Sequence, residues 1–271
     1  MSEHIYNPIL SVVVAVFNGE RFLSEAIDSI LSQTYDNFEL LIINDGSTDD
    51  TEKIIQNYTE KDGRIVYIKN NVNLRQSRSW NRGIKIAKGQ FIIRMDADDI
   101  CLPDRFEKQY QYMLLHPNIG VLGSHYYIFS NNKEKKAKNA PFFSIIDGRP
   151  PVHHPTCCIR KELFEKFGYY DSRYDNAEDT ELWYRFYSRG VEFSNLDDYL
   201  LLYRVHENNV SIKKQKKQVY LQLKINLLAV FKYRIKFSLK GYLRILEQFF
   251  YLIYLSFGLD KIYQRGNTSL K

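Results

Sequence analysis

The chain has 271 residues, 44% of them hydrophobic, so it is long enough to bury a substantial core and is not disordered as a whole. Its three cysteines, Cys101, Cys157 and Cys158, form neither a metal-ligand spacing nor an even disulfide set, which favours a reducing compartment. The N-terminus lacks the basic region and apolar run of a signal peptide, and no stretch reaches the ~20 apolar residues of a membrane span. We therefore expect a cytoplasmic protein.

The formal net charge of +6 is unevenly distributed along the chain. From residue 207 onward, 13 Lys and Arg residues stand against 3 Asp and Glu residues, so the part before it is slightly acidic. This asymmetry predicts two parts, a nearly neutral body and a basic tail.

Strand and helix signals alternate over the first 130 residues. Continuous β-branched and apolar runs predict strands at 9–16, 38–43, 64–69 and 91–95. Apolar residues at helical spacing follow the first strand, and a further helix is predicted at 77–88, closed by Gly89. This alternation predicts an α/β fold with an open, mostly parallel central sheet flanked by helices.

Polar or acidic loops follow three of these strands, at 17–20, 44–47 and 96–99. Ligands of open α/β sheets bind beyond the carboxyl ends of the strands. We therefore expect these three loops to meet at one edge of the sheet.

The second half of the chain is less regular. Residues 131–151 are charged and then Pro-rich, and are predicted to form a loop or mobile flap. Ordered structure is predicted again at 156–167, and a helix is predicted at 178–188. After residue 205 the pattern changes to long basic amphipathic segments, which predict a C-terminal helical extension.

The strongest chemical signal is Asp96-Ala97-Asp98-Asp99, directly after the apolar run FIIRM. Three carboxylates within four residues repel one another, and a shared divalent cation would relieve this repulsion. Mg²⁺ and Mn²⁺ prefer such oxygen ligands and keep open positions for phosphate. The alternative interpretation is a solvated acidic turn that caps the next helix.

Other polar residues are weaker signals when each is taken alone. Asp45 lies in a turn with ordinary helix-capping neighbours, and Glu178 and Asp179 open a helix, where they are either caps or a carboxylate base. His206 could contact a metal or phosphate, although a lone histidine is more often structural.

Two candidates belong to an acceptor side. His154, which follows His153 and precedes Pro155, either has a structural role or lines an acceptor site. Trp183, on the apolar face of the helix that Asp179 opens, is assigned to the same side.

Together these residues resemble the inverting glycosyltransferases of family 2, whose domain has the GT-A fold. The resemblance starts with SVVVAVFNGERFLSEAIDSILSQTYDNFELLIINDGSTDDT and continues in NLRQSRSWNRGIKIAKGQFIIRMDADD. The segments HPTCCIRKELFEKFGYYD, AEDTELWYRF and YRVHENNVS extend it over roughly 9–211. Any one piece would be unspecific, but the ordered set is specific to the family.

The resemblance implies a role for each matching residue. Nucleotide-sugar contacts are implied for Phe17, Asn18, Glu20, Asp45, Arg75 and Asp96, and metal binding for Asp98 and His206. Asp179 is implied as the catalytic base, with Glu178 as the fallback. The implied cofactor is Mn²⁺ or Mg²⁺, and the implied donor is a nucleotide-diphosphate sugar such as a UDP-sugar.

One stretch departs from the family pattern. Where many members have Gly-Leu-Ser-x-Ala-Arg-Asn, this chain has Arg-Gln-Ser-Arg-Ser-Trp-Asn from Arg75 to Asn81. Trp80 therefore stands where Arg or Leu is common.

Two other classes of protein remain as alternatives. A metal-dependent phosphatase or phosphotransferase also has D-x-D after a strand, but there the motif usually lies near the N-terminus. The other alternative is a non-catalytic carbohydrate-binding relative. The expected activity is transfer of a sugar to a glycan or lipid-linked glycan, as in capsule, O-antigen or exopolysaccharide synthesis.

The resemblance and the charge pattern predict a catalytic domain at 1–211, with a nucleotide-sugar half at about 1–100 and an acceptor half at about 101–211. The tail at 212–271 interleaves basic and aromatic residues, which predicts peripheral binding to an anionic membrane surface. Alternatively, the tail packs as helices on the catalytic domain or on a second subunit in a homodimer. No nucleic-acid recognition module is present in the sequence.

Overall fold

The computed structural model describes residues 9–130, 133–138, 144–206 and 215–256. Its strands are β1 (Leu10–Val16), β2 (Phe38–Asn44), β3 (Ile65–Lys69), β4 (Phe91–Asp96), β5 (Ile100–Cys101), β6 (Ile119–Ser130), β7 (Lys133–Lys138), β8 (Cys158–Arg160) and β9 (Glu192–Arg204). Its helices are α1 (Leu23–Leu31), α2 (Thr51–Thr59), α3 (Gln76–Ile86), α4 (Arg105–Leu115), α5 (Lys161–Phe167), α6 (Glu178–Tyr187), α7 (Gln215–Phe231) and α8 (Leu239–Ser256).

Within the described residues, nine strands form one sheet in the order β3-β2-β1-β4-β8-β6-β9-β5, with β7 paired to β6. The first four strands of this order are parallel, as are β6 and β9. β8 is antiparallel to both of its neighbours. The expected α/β fold with a mostly parallel central sheet flanked by helices is confirmed.

The register brings the polar loops together. Val16 of β1 is paired with Asn44 of β2, and Ala15 is paired with Asp96 of β4. The three strands therefore end side by side, and the loops that follow them lie on one edge of the sheet, as the sequence predicts.

The sheet carries an apolar layer on each face, because side chains alternate along a strand. Val13 lies in the layer that contains Trp80 of α3. Val12 lies in the opposite layer, with Ile27 of α1 and Phe106 of α4. Alternate residues of β1 thus anchor helices on both sides, which fixes the strand ends that carry the site.

The segment at 131–151 is not only a loop. It contains β7, which pairs with β6 in antiparallel register, and a short 3-10 turn at Ile145–Asp147. The sequence KEKKAK of β7 lacks the apolar alternation of a half-buried strand. Lysine-rich strands are tolerated at sheet edges, where the charge also blocks pairing with other chains. The parts at 131–132 and 139–143 lie outside the described residues.

The C-terminal helices pack on the rest of the described structure. Leu221, Ile225 and Ala229 of α7 are buried, and α7 contacts α6. Between the two helices, Ile235 and Phe237 are also buried. The boundary expected near residue 211 lies outside the described residues. No helix among those described is long and apolar enough to cross a membrane.

Candidate active site

Three carboxylates lie together where β4 ends. The potential ligand oxygens of Asp96, Asp98 and Asp99 lie within 4.8 Å of one another. Burial raises the pKa of Asp96, and it raises the pKa of Asp99 well above its usual range. Neighbouring carboxylate charges add to both increases. A cluster of hard oxygen donors that repel one another fits a divalent cation.

Arg94 compensates part of this charge from inside the sheet. Its Nη2 and Nη1 atoms donate to the two oxygens of Asp96 at 2.6 and 2.7 Å. Its guanidinium lies 4.3 Å from the ring centroid of Trp80, and Gln76 also donates to Asp96. Arg94 was not among the residues predicted from the sequence. The available signal was an arginine inside the apolar run FIIRM, because a buried charge requires a partner.

The end of β9 brings His206 to the acidic cluster. Its Nε2 atom lies 2.8 Å from Asp98 Oδ2. Arg204 fixes this approach: its backbone N–H donates to Asp99 Oδ1 at 2.9 Å and its Nε donates to the carbonyl oxygen of Asp98 at 2.7 Å. An imidazole and a carboxylate thus meet beside the other acids, and together these residues could hold a Mn²⁺ or Mg²⁺ ion.

Glu178 and Asp179 form the first turn of α6. Glu178 is buried and accepts the backbone N–H of Asn176 at 2.6 Å, whereas Asp179 is half-buried and accepts the backbone N–H of Thr180 at 2.7 Å. The pKa of Glu178 is raised to about 7, mainly by burial and to a smaller extent by the charge of Asp179. Burial also raises the pKa of Asp179. A carboxyl with the pKa of Glu178 can exchange a proton near neutral pH.

The loops after β1 and β2 are joined by hydrogen bonds. The backbone N–H of Asn18 donates to Ser47 Oγ at 3.0 Å, and the Asn18 side-chain oxygen accepts the backbone N–H of Thr48 at 2.9 Å. Glu20 accepts the backbone N–H of Asp50 at 3.0 Å. These contacts fix the two expected nucleotide-side loops as one unit.

The remaining nucleotide-side residues differ in exposure. Asp45 is buried, and its Oδ1 atom accepts hydrogen bonds from Asn70 Nδ2 and the Leu74 backbone N–H, both at 2.8 Å. Phe17 and Arg75 are exposed. Arg75 has φ 71° and ψ 164°, a conformation that favours glycine, and many family members have glycine at this position.

The two residues expected on the acceptor side lie in the core. Trp183 is completely buried, and His154 is buried with its Nε2 atom 2.7 Å from the Tyr170 hydroxyl. Burial lowers the pKa of His154 well below its usual value, so the ring is neutral. An acceptor contact for these residues stays a prediction.

Comparison with known proteins identifies relatives of this chain. The sequence profile described as glycosyl transferase family 2 matches residues 11–191. An uncharacterized glycosyltransferase of Methanocaldococcus jannaschii is 36% identical, over 80% of this chain and 79% of its own length. The putative glycosyltransferase EpsE of Bacillus subtilis is 34% identical, over 77% of this chain and 76% of its own.

A third relative has a more specific name. The Escherichia coli protein WfaP, named UDP-Glc:alpha-D-GlcNAc-diphosphoundecaprenol beta-1,3-glucosyltransferase, is 30% identical, over 78% of this chain and 83% of its own.

Two solved structures share the fold. Staphylococcus aureus TarS in complex with UDP-GlcNAc has a TM-score of 0.69 at 19% identity, covering 89% of this chain and 72% of that one. The mannosyltransferase PcManGT of Pyrobaculum calidifontis, in complex with GDP-Man and Mn²⁺, has a TM-score of 0.67 at 16% identity, covering 92% of this chain and 70% of that one. At these identities the similarity shows the fold alone.

Proposed function

Because the chain belongs to glycosyl transferase family 2, we propose that it transfers a sugar from a UDP-sugar to a hydroxyl of a lipid-linked glycan during surface-polysaccharide synthesis. The name of WfaP specifies a UDP-glucose donor and a diphosphoundecaprenol-linked acceptor. The TarS structure contains UDP-GlcNAc. These neighbours support the donor and acceptor classes proposed for this chain.

The observation that carries the proposal is the proximity of two acidic groups, the metal-type cluster and the Glu178–Asp179 pair. The charge of Asp179 contributes to the raised pKa of Asp96. The Arg94 guanidinium acts on both sides, since it lowers the pKa of Asp96 and of Asp179. Adjacent residues at the start of α3 also link the two groups, because Gln76 donates to Asp96 and the hydroxyl of Ser77 donates to Asp175, three residues before Glu178. These contacts support one site in which a sugar diphosphate meets both acidic groups.

Asp179 is the proposed base. Its carboxylate takes the proton of the acceptor hydroxyl, and the acceptor oxygen forms a bond to the anomeric carbon while the bond from that carbon to the UDP oxygen breaks. The electron pair leaves with UDP, and the anomeric configuration is inverted. Asp179 suits this role better than Glu178 because it is the more exposed of the two.

Asp98 and His206, with Asp96 beside them, are the residues proposed to hold Mn²⁺ or Mg²⁺. Bound there, the cation would neutralise charge that develops on the leaving diphosphate. Arg94 engages both oxygens of Asp96. We therefore propose that Asp96 faces the ribose side and that Asp98 is the principal ligand.

The proposed donor pocket is formed by the joined loops after β1 and β2. Asp45 is held in place by Asn70 and Leu74 and is proposed to contact the base of the nucleotide. The exposed ring of Phe17 is available for stacking. Asn18, Glu20 and Arg75 complete the proposed set.

A panel of nucleotide sugars with a lipid-linked glycan acceptor tests this function. We expect release of UDP, an NMR spectrum that shows inverted configuration in the product, and loss of most activity with chelator or in Asp98→Ala. Retained configuration would contradict the mechanism, and full activity in excess chelator would contradict the metal. Release of inorganic phosphate would instead indicate a phosphatase, and binding of the donor without turnover a non-catalytic relative.

The outward face of α8 supports a peripheral position on an anionic membrane. Leu239, Leu243, Leu246 and Phe250 recur at helical spacing and are each more than half exposed. The opposite side of α8 faces the protein, as the close approach of Gly241 to the Ile146 carbonyl shows. Four basic residues are exposed in the segment that leads into α8 and at its start, namely Lys232, Arg234, Lys236 and Lys240. Apolar residues flanked by basic ones fit an anionic lipid surface.

A further inference from the structure

The packing of α7 against the catalytic body includes a buried amide. Asn226 is completely buried on a helix face that otherwise carries apolar residues such as Ile225 and Ala229. A buried amide stabilises a structure only when its hydrogen bonds are made, and it then fixes the relative position of the groups that it joins. Asn226 therefore has partners that determine how α7, α8 and α6 fit together.

These partners lie on two other helices. The hydroxyl of Tyr184, on α6, donates to Asn226 Oδ1 at 2.7 Å. Asn226 Nδ2 in turn donates to Gln248 Oε1, on α8, at 2.7 Å. One side chain thus joins both C-terminal helices to the helix that carries the proposed base.

A second connection reaches the first turn of α6. Gln222 lies one turn before Asn226 on α7, and its Nε2 atom donates to Asn226 Oδ1 at 3.4 Å. The hydroxyl of Thr180 donates to Gln222 Oε1 at 3.2 Å. The backbone N–H of the same Thr180 donates to Asp179 Oδ1 at 2.7 Å. A continuous polar path therefore runs from Asn226 to the carboxylate of Asp179.

The first turn of α6 depends on such support. Its N-cap residue is Ala177, which makes no side-chain capping bond, and the turn contains three acidic residues. Like charges on one turn repel one another when they are partly desolvated. The C-terminal part of the chain supplies two hydrogen bonds to this turn. Gln222 accepts one from Thr180, and the hydroxyl of Tyr233 donates one to Glu181.

We propose that Asn226 is a positioning residue, which holds the first turn of α6 so that Asp179 faces the acceptor hydroxyl. The catalytic consequence of this role rests on the proposed function, whereas its structural consequence does not. The C-terminal helices are then part of the reaction machinery, whether or not α8 also binds lipid.

The test compares Asn226→Leu, which keeps the branched shape of the side chain but loses every hydrogen bond, with Asn226→Asp, which keeps an acceptor for Tyr184. In Asn226→Leu we expect kcat to fall by about tenfold or more with the KM for the donor unchanged. Asn226→Asp should recover part of this loss. Gln222→Met, at a half-buried position, should lower kcat several-fold, and it keeps the test available if Asn226→Leu does not fold.

Ser238→Ala is the matched control, because Ser238 bonds Asp147 at 2.5 Å and anchors α8 without touching the path to Asp179. Unchanged kcat in both Asn226→Leu and Gln222→Met would overturn the proposal. So would an equal fall in Ser238→Ala, which would indicate general loosening of the helices.

Amide hydrogen exchange separates this inference from the proposed function. In Asn226→Leu, exchange should become faster in the first half of α6 and stay unchanged in β4. This readout holds even if no sugar donor is turned over. Unchanged exchange in α6 would overturn the structural role. Calorimetry reports separately on the donor site, and we expect Asn226→Leu to bind UDP as the wild type does.

Discussion

At the scale of single residues, the two acids of α6 differ in ways that assign them different tasks. Asp179 is half-buried, and Glu178 is only 6% exposed. Asp179→Asn keeps the shape of the side chain but cannot accept the proton, so turnover should fall by ~10² or more while donor binding is retained. Steady-state kinetics and UDP calorimetry check this. A severe loss in Glu178→Gln with a mild one in Asp179→Asn would reverse the assignment.

Glu178 also predicts a dependence of stability on pH. Its pKa rises from 4.5 to about 7 on folding, mainly through burial. The folded state therefore keeps a proton that the unfolded state releases near 4.5, so native stability falls as the pH rises from 4.5 to about 7. Glu178→Gln cannot ionise, so its free energy of unfolding should exceed that of the wild type by about 3 kcal/mol above pH 7. The difference should be much smaller near pH 4.

Denaturant unfolding of the two proteins at pH 4, 6 and 8 measures this difference. Other groups titrate in both proteins, so only the difference between wild type and variant is informative. A constant difference at all three pH values would contradict the raised pKa of Glu178.

At the scale of elements, the attachment of α8 depends on a close backbone approach. A Cβ atom at Gly241 would collide with the carbonyl oxygen of Ile146, which is backbone and cannot move without shifting the turn. Gly241→Ala should therefore lower the free energy of unfolding by about 1–3 kcal/mol despite the better helix propensity of alanine. Gly63→Ala is the control, because nothing lies within 4 Å of a Cβ there.

Thermal unfolding and limited proteolysis check this prediction. In Gly241→Ala the connection between α7 and α8 should become sensitive to protease, whereas Gly63→Ala should behave like the wild type. Equal melting temperatures in the two variants would mean that α8 is not tightly seated on the turn at 145–147.

At the scale of the whole molecule, charge and apolar surface occur together at the C-terminal side. Full-length protein should float with anionic vesicles at low salt, and binding should weaken at high salt because ions screen surface charge. Since α7 contributes to the core, point substitutions test this better than deletion of the tail. We expect Leu243→Ser with Leu246→Ser and Phe250→Ser to abolish flotation.

Leu115→Ser, at a residue of α4 that is 76% exposed, is the matched control and should float like the wild type. Flotation that is independent of lipid charge, or that survives the triple substitution, would contradict the membrane proposal. Concentration-dependent dimerisation that the triple substitution abolishes would indicate that the face binds a second copy instead.

The sequence by itself predicted the first four strands and the edge of the sheet where the candidate site lies. The β-branched run at β1 and the acids directly after β4 are local patterns, and a parallel sheet places consecutive strand ends on one edge. The acids of α6 and His206 were also proposed as site residues from sequence, through the order of short motifs. Strand β7 was missed because an edge strand with lysines on it has no apolar alternation.

Only the tertiary structure decided how these residues are paired. Arg94 and Asp96 lie two residues apart on one face of β4, but the contact of the Arg94 guanidinium with the Trp80 ring depends on how α3 packs on the sheet. Trp183 carries the same helical periodicity whether it faces an acceptor or the core, and the packing of the sheet against α6 buried it. Asn226 and Thr180 are joined through contacts across more than 40 residues of sequence. Periodicity records which face of an element is apolar, whereas the identity of the opposing element depends on chain topology.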